Sequence, residues 1–579
     1  MKKKYLLTLS ILSLLALVGC NSTTNSNTYN GGDYDYNSII SVDEPDSIEI
    51  DDNTGEFSLT TSDGVISQNG NIYKLTSAGT YTATGKLDGQ ILIEAGEEDE
   101  VVLELSNATI NYDSDSPIKA VSAGKLEISA KSDTANTVND NRKTKTSDIA
   151  DQGEAAIYAK TDLKLKGGGV LVVNGSYNNG VQTSKDLTIQ KLTVKITGYN
   201  NAIKGNNSVT INSGTIQAYA KTGDGIKTED SDVSSGGKQK GTVAINGGNV
   251  YIDSLHDAID ATYNVEVDQL DSEISTTINI KTGTNSTYYS KSTFKADSEK
   301  GIKAANDIIV NNGTIVVSAS DDAIHANYGT TLESGATGSG NITINGGLIQ
   351  VASGDDGLHS DNTITINDGK IVVTGSTEGI EGNYITINGG YTYVYGTDDG
   401  VNCSKKSFSN CAFTMTGGYL DVAVRNGDTD GIDSNGNFTL SGGVIITRGS
   451  PGTSGSGMST GLDVDGTCSM KGGTLIAFNG LETKPSTASG IKYAGTKSNS
   501  SGMGGGMGGG PRFANSTSLQ AGNYTLSGTG IDISFTNDYI YGSFLIYSDG
   551  LVSNATYTLT RSDTTVLSWS QTSNSVTIS

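Results

Sequence analysis

NITINGGLIQVASGDDGLH (341–359), TITINDGKIVVTGSTEGIE (363–381) and YITINGGYTYVYGTDDGVN (384–402) are copies of one pattern. Each runs an apolar–polar alternation, a Gly pair or near-pair, a second alternation, then an acidic turn and one more apolar residue. The Gly that closes the first alternation recurs at 214, 248, 313, 347, 369, 390, 418, 443 and 473, with the closest copies 22 and 21 residues apart. A repeat of roughly 20–50 residues marks a solenoid, and a solenoid stacks equivalent positions in columns on its outer face. The alternation has period two, so each copy supplies short strands. Ile342, Ile344, Ile349 and Val351 share the inward parity, and Thr343, Asn345, Leu348 and Gln350 the outward one. The Gly pair marks the corner between strands. Two or three strands per lap describe a parallel β-helix. The Leu/Asn spacing of leucine-rich repeats is absent, and propeller blades need about 40–50 residues.

The composition agrees: 76 Gly, 5 Pro and one Trp, with no long 3.6-residue apolar pattern. The expected organisation is an export signal over 1–19, a flexible Asn/Ser/Thr/Gly tether over 20–40 and a β-rich N-terminal cap over 41–100. A β-helix over 101–482, a Gly/Ser-rich loop over 483–515 and a C-terminal β-hairpin cap over 516–579 follow. Such caps cover the open strand edges of a solenoid. Trp569 reads as core of the last cap.

Lys2, Lys3 and Lys4 precede an apolar run, Tyr5 to Val18, too short to span a bilayer. With Leu17-Val18-Gly19-Cys20 behind it, this is an export signal. The four residues resemble a bacterial lipobox, which implies cleavage before Cys20 and lipid on its thiol; an ordinary signal peptide is the alternative. The first reading places the mature chain on the outer face of a membrane. Export permits a disulfide among Cys403, Cys411 and Cys468, and free buried thiols fit equally.

There are 63 acidic and 38 basic residues, a net charge of −25. Phosphate binding needs clustered Lys and Arg, so nucleic acid is excluded as a principal partner. The run SSGMGGGMGGG (500–510) has no Lys after it, which excludes a nucleotide loop.

The acidic turns stack. Equivalent residues in a parallel ladder lie about 4.8 Å apart, and carboxylates that close repel unless neutralised. Ca²⁺ takes six to eight oxygens at roughly 2.3–2.6 Å. The expected ligands are Asp322, Asp355, Asp356, Asp398, Asp399, Asp428, Asp430 and Asp433. Asp and Asn also serve turns through their own Asx-type bonds, and both roles can hold. On the outward parity, Tyr391, Tyr393 and Tyr395 form a ladder, with Tyr419 in the column of Tyr391 and Tyr251 in that of Tyr393. Outward phenols can stack on sugar rings; a covering loop would instead bury them.

The stretches ELSNATINYDSDSPIKAVSAGKLEISAKSDTANTVND (104–140), AAIYAKTDLKLKGGGVLVVNGSYNNGVQTSKDLTI (155–189) and NAIKGNNSVTINSGTIQAYAKTGDGIKT (201–228) resemble a family of carbohydrate-binding β-helix lipoproteins of clostridia and related bacteria. The resemblance spans roughly 70–560. It implies a right-handed parallel β-helix, bound Ca²⁺, and association with cellulose and acidic plant polysaccharides such as pectin. It also implies a fold similar to the family 9 pectate lyases. Those enzymes hold Ca²⁺ with a D-D-G-x-D turn and use a Lys base. Here Asp355-Asp356-Gly357-Leu358-His359 and Asp398-Asp399-Gly400-Val401-Asn402 lack the last acid. Lys204, Lys227 and Lys303 are the candidate bases. The expectation is a non-catalytic polysaccharide-binding protein; a calcium-dependent lyase and a structural adhesin are the alternatives.

Overall fold

The computed structural model describes residues 28–30, 42–147, 152–283, 298–425, 427, 429–452, 459–496 and 518–578. Cys20 with its leader, most of the expected tether, the run at 500–510 and Asp428 lie outside the described residues.

Every regular element among the described residues is a strand. The strands join in steps of three. Ala135–Asp140 pairs in parallel with Val170–Gly175, which pairs with Leu192–Gly198, which pairs with Gly214–Ala220. A second ladder climbs from Ile118–Ser122 to Leu462–Val464 through the short strands that follow the acidic turns. A third climbs from Lys125–Ala130 to Cys468–Met470. Together they belong to one mostly parallel sheet of 47 strands.

The inward parity builds the core. Ile342, Ile344, Ile349, Val351, Ile385, Ile387 and Val394 are all fully buried, and they stack on their equivalents in the tiers above and below. At the corner, Gly347, Gly369 and Gly390 have φ of 91°, 103° and 75°, where L-residues are strained. A Cβ on Gly390 would lie 2.5 Å from the carbonyl oxygen of Gly369 one tier back. That carbonyl instead accepts the N–H of Tyr391 at 2.8 Å. Beside the corner runs an amide ladder, in which Asn345 donates to Asn311, Asn367 to Asn345 and Asn388 to Asn367 at 2.8–2.9 Å.

Parallel pairing begins before residue 101. Gly79–Asp88 pairs with Glu100–Tyr112, and Gln90–Glu94 with Ile118–Ser122. The segment expected as a cap therefore already contributes tiers, because Leu87, Ile91 and Ile93 bury their side chains in the same stack. Only Ser58–Thr61 and Ile66–Asn69 pair antiparallel there.

At the other end, Gly522–Gly528, Ile531–Asn537, Thr556–Arg561 and Thr564–Ser570 form antiparallel hairpins, with Thr28–Asn30 paired in parallel to Ile531–Asn537. Their apolar face joins Tyr393, Tyr419, Ile446 and Phe478 in a second core. Trp569 is buried there against Tyr557, ring centroids 5.5 Å apart. Cys403, Cys411 and Cys468 are free, buried thiols.

Candidate cation and glycan site

The register of the second ladder sets one polar side chain per tier in a single column. It reads Lys227, Asp260, Lys303, His325, His359, Glu381, Asn402, Asp433 and Asp463. Three residues before each member lies a turn residue, and where it is Asp322, Asp356 or Asp399 its Oδ1 caps the next tier: Asp322 accepts the N–H of Asp356 at 2.9 Å, Asp356 that of Glu378 at 3.2 Å, and Asp399 that of Asp430 at 2.8 Å. Neutral tiers do the same, with Asn179 accepting from Asn201 and Asn201 from Asp224. The turn acids thus have a structural duty, met by one oxygen. The other oxygen faces the column.

What it faces changes along the stack. In the early tiers it meets lysine. Lys227 bridges Asp224 and Asp260 at 2.7 and 2.6 Å, Lys303 meets Asp257 at 2.9 Å, and Lys300 meets Asp321 and Asp322 at 2.8 and 2.7 Å. In the middle tiers it meets histidine: Asp322 Oδ2 lies 2.6 Å from His325 Nδ1, and Asp356 Oδ2 lies 2.8 Å from His359 Nδ1. In the late tiers its neighbours are more acids, Asp398, Asp430 and Asp433 around Asp399. Among the described residues no ion pair engages Asp399, Asp430, Asp433 or Asp463. Burial, reinforced by neighbouring acids, pushes Asp399 up to about 8, Asp430 to about 7 and Asp433 to about 6.

The expected calcium ligands therefore divide. Asp321, Asp322 and Asp355 come together with ligand oxygens within 4.8 Å of one another, as do Asp355, Asp356 and Glu378. Glu378, in the acidic turn of the copy at 363–381, is not among the expected ligands. Lys300 already neutralises the first set. In the second, burial and then the charges of Asp322 and Glu378 hold the Asp356 carboxyl well above the ordinary carboxylate range. An all-oxygen, acid-crowded set of this kind suits a hard cation. Asp398, Asp399, Asp430 and Asp433 share one edge but do not converge so tightly.

The tyrosine ladder has the expected register, Tyr391 opposite Tyr419 and Tyr251 in the column of Tyr393 by way of Asn279, Val316, Gln350 and Val372. Its exposure is not as expected. Tyr419 is fully buried, Tyr393 and Tyr251 nearly so, Tyr395 is half-buried, and only Tyr391 is exposed, at 37%. The C-terminal hairpins cover the late end, where the Tyr419 hydroxyl donates to the Ser534 carbonyl at 3.1 Å. An irregular N-terminal segment crosses the early end: Gln217 donates to the Asp46 carbonyl and Lys195 to Ser47. Segments far away in sequence thus bury the ladder, and no local pattern announces them.

A different aromatic group stands beside the acidic column. The rings of Tyr328 and Phe408 lie 4.7 Å apart and those of Tyr384 and Phe408 6.1 Å apart, with Tyr328 37% exposed. The loop carrying Phe408 also carries Lys406, which pairs with Glu381. The Tyr328 N–H donates to Asp361 at 3.0 Å. Sequence reading missed this patch because its rings come from different tiers and loops rather than one strand.

The family described as carbohydrate-binding domain-containing protein matches residues 69–357 and 330–379, more than half of the chain, and the chain belongs to that family. It is 35% identical over 204 residues to a carbohydrate-binding domain-containing protein of Acetivibrio thermocellus. That match takes in 35% of this chain and 65% of the relative, so the chain spans just under two thirds of the relative's length. A solved structure of a polysaccharide lyase-like protein from C. thermocellum, a gadolinium derivative, is similar at 30% identity. It covers 45% of this chain and 92% of its own, with a TM-score of 0.35.

Proposed function

We propose that this is a surface-anchored, non-catalytic polysaccharide-binding protein that uses Ca²⁺ to hold an acidic glycan. In this reading the three-strand step of parallel pairing is the winding of a right-handed β-helix. Cys20 carries the lipid anchor on the outer face of the membrane, and 20–40 forms the tether. Asp355, Asp356 and Glu378 hold one Ca²⁺. The looser edge formed by Asp398, Asp399, Asp430 and Asp433, with Asp428, takes a cation that still has ligand positions free for a uronate carboxylate. The aromatic patch of Tyr328, Tyr384 and Phe408 stacks on sugar faces.

The observation that carries the reading is the change of partner along one column, from lysine to none, in a chain of the carbohydrate-binding family. A bound dication would reconcile an acidic protein with an acidic polymer. Pectin-like glycan is favoured over cellulose, since only the former offers carboxylates.

The lyase reading is the weaker one. A base must lose its proton near working pH. Burial would lower the Lys227 and Lys303 ammonium groups, but Asp224, Asp257 and Asp260 outweigh it and hold both above the usual lysine range. Lys204 pairs with Glu229 at 2.6 Å.

The test is retention of the protein on polygalacturonate and on insoluble cellulose, with Ca²⁺ and with EGTA, while reading the absorbance of unsaturated products. Calcium-dependent retention on polygalacturonate without product is expected. Product formation would overturn the non-catalytic reading, and equal retention in EGTA would overturn the role of calcium.

A further inference from the structure

His325 and His359 are register partners on adjacent tiers, with rings stacked at 10° and centroids 4.3 Å apart. Each is 8% exposed. Each turns its Nδ1 toward an aspartate three residues earlier on its own tier. His325 Nδ1 hydrogen-bonds Asp322 Oδ2 at 2.6 Å, and His359 Nδ1 approaches Asp356 Oδ2 at 2.8 Å without hydrogen-bond alignment. Their other nitrogens converge on one carboxylate. His325 Nε2 lies 3.9 Å from Asp361 Oδ2, and His359 Nε2 lies 3.5 Å from Asp361 Oδ1.

His325 Nε2 is buried and has no hydrogen-bond partner. In the tautomer that donates Nδ1–H to Asp322, Nε2 carries a lone pair on the side of Asp361. A buried acceptor left empty is costly. A metal-bound histidine nearly always donates its second ring N–H to a carboxylate, which fixes its tautomer and raises its basicity. Asp322 performs that service for His325, and Asp361 is placed for direct ligation.

We infer that His325 Nε2, His359 Nε2 and the Asp361 carboxylate form a site for a borderline transition dication of the Zn²⁺ class, separate from the calcium ligands. Imidazole nitrogens select Zn²⁺, Co²⁺ or Ni²⁺ over Ca²⁺, which takes oxygen. The 3.5 Å from His359 Nε2 to one Asp361 oxygen is close to the edge of a tetrahedron with bonds of about 2.0–2.1 Å, whereas His325 Nε2, 3.9 Å from the other oxygen, has to move inward. Two adjustments accompany loading. The parallel rings tilt toward each other, so that both lone pairs meet the ion. The Lys406 ammonium, 3.5 Å from His359 Nε2, swings away with its half-exposed loop. The site sits between the acid set of Asp355, Asp356 and Glu378 and the aromatic patch, so a metal there would brace the glycan-facing edge.

The experiment uses the full chain. Zn²⁺ binding is measured by calorimetry in excess Ca²⁺, and Co²⁺ uptake by its visible absorption. The expected result is one Zn²⁺-competable Co²⁺ with the intense bands of low coordination. Asp361→Asn and His359→Gln should each weaken it at least about tenfold, and Lys406→Gln should strengthen it. Asp322→Asn, which removes the carboxylate charge behind His325 and beside Lys300 while leaving an amide oxygen to cap Asp356, should cost roughly 10–100-fold. Melting curves identify any variant that fails to fold, and Asp361→Asn, partly exposed on the strand Leu358–Ile366 and still able to accept the Tyr328 N–H, is the one expected to melt as the parent does. Displacement of the Co²⁺ by equimolar Ca²⁺, or full binding in a His325→Gln/His359→Gln variant, would overturn the assignment. Absence of a Co²⁺ spectrum in the parent chain would do the same.

Discussion

The backbone N–H of Asp430 donates to Asp399 Oδ1 at 2.8 Å, tying two tiers through a carboxyl that has no cation beside it. Both carboxyls are pushed up, to about 8 and about 7, with Asp433 at about 6. An acid whose folded pKa is raised binds its proton more tightly folded than unfolded. Its stability contribution is complete below the unfolded value of about 3.9 and drains away as pH climbs through the folded value. In EGTA, the melting temperature should therefore fall between about pH 5 and 8. Calcium replaces the lost protons, so its stabilising shift should be larger at pH 8 than at pH 5. Scanning calorimetry across that range, with and without Ca²⁺, checks it; a calcium shift independent of pH would count against these carboxyls as ligands.

Asp356→Asn separates the two duties of a turn acid. The amide oxygen can still accept the Glu378 N–H, as Asn179 and Asn201 do in their tiers. The negative charge beside Asp355 and Glu378 disappears. Calcium affinity should drop by about tenfold or more, since ligand charge count sets affinity in oxygen sites, while the calcium-free melting temperature holds or rises. Calorimetric titration with Ca²⁺ reads the first and a thermal melt the second.

The repeat was legible because its signals are local. The Gly at each corner, the inward Ile and Val, and the parity of the tyrosines all follow from period two and from the left-handed backbone at positions such as Gly347 and Gly369. The pairing of Tyr391 with Tyr419 followed from the same count. What could not be read was who covers whom. Tyr393 and Tyr419 are buried by strands more than a hundred residues later, and Tyr251 lies under chain from before residue 50. The acids raised a similar difficulty. Asp322 and Asp399 look alike in sequence, yet Lys300 pairs with one while His325 hydrogen-bonds it, and the other stands beside the column positions of Asn402 and Asp433. The aromatic patch depends on Phe408 reaching back to Tyr328 across several tiers, a contact that no spacing rule encodes.

Arg448 and Asp421 fasten the C-terminal hairpins to the stack. Arg448 is 1% exposed, pairs with Asp421, and donates to Asn537 Oδ1 and the Thr536 carbonyl, both at 2.7 Å. Removing one partner of a buried pair leaves the other charge uncompensated, at a cost of about 3–5 kcal/mol. Arg448→Leu should destabilise the protein by that order, and should also make Tyr393 and Tyr419 accessible. Chemical denaturation gives the first, and the susceptibility of tyrosine to iodination gives the second. Arg448→Leu with Asp421→Leu should recover much of the loss, because no buried charge is then left alone.

The two aromatic groups make opposite predictions. Tyr328 and Phe408 stand at the surface, so Tyr328→Ala with Phe408→Ala should lower retention on polygalacturonate severalfold and move the melting temperature little. Tyr393 is 4% exposed inside the second core. Tyr393→Ala opens a cavity there and should cost about 3 kcal/mol or more, as aromatic-to-alanine changes in cores do, with glycan retention unchanged at temperatures where the protein stays folded. The double comparison needs only a retention assay and a melt on each variant. If Tyr393→Ala abolished binding while the surface pair had no effect, the glycan would lie along the tyrosine ladder after all, and the C-terminal hairpins would have to lift away to admit it.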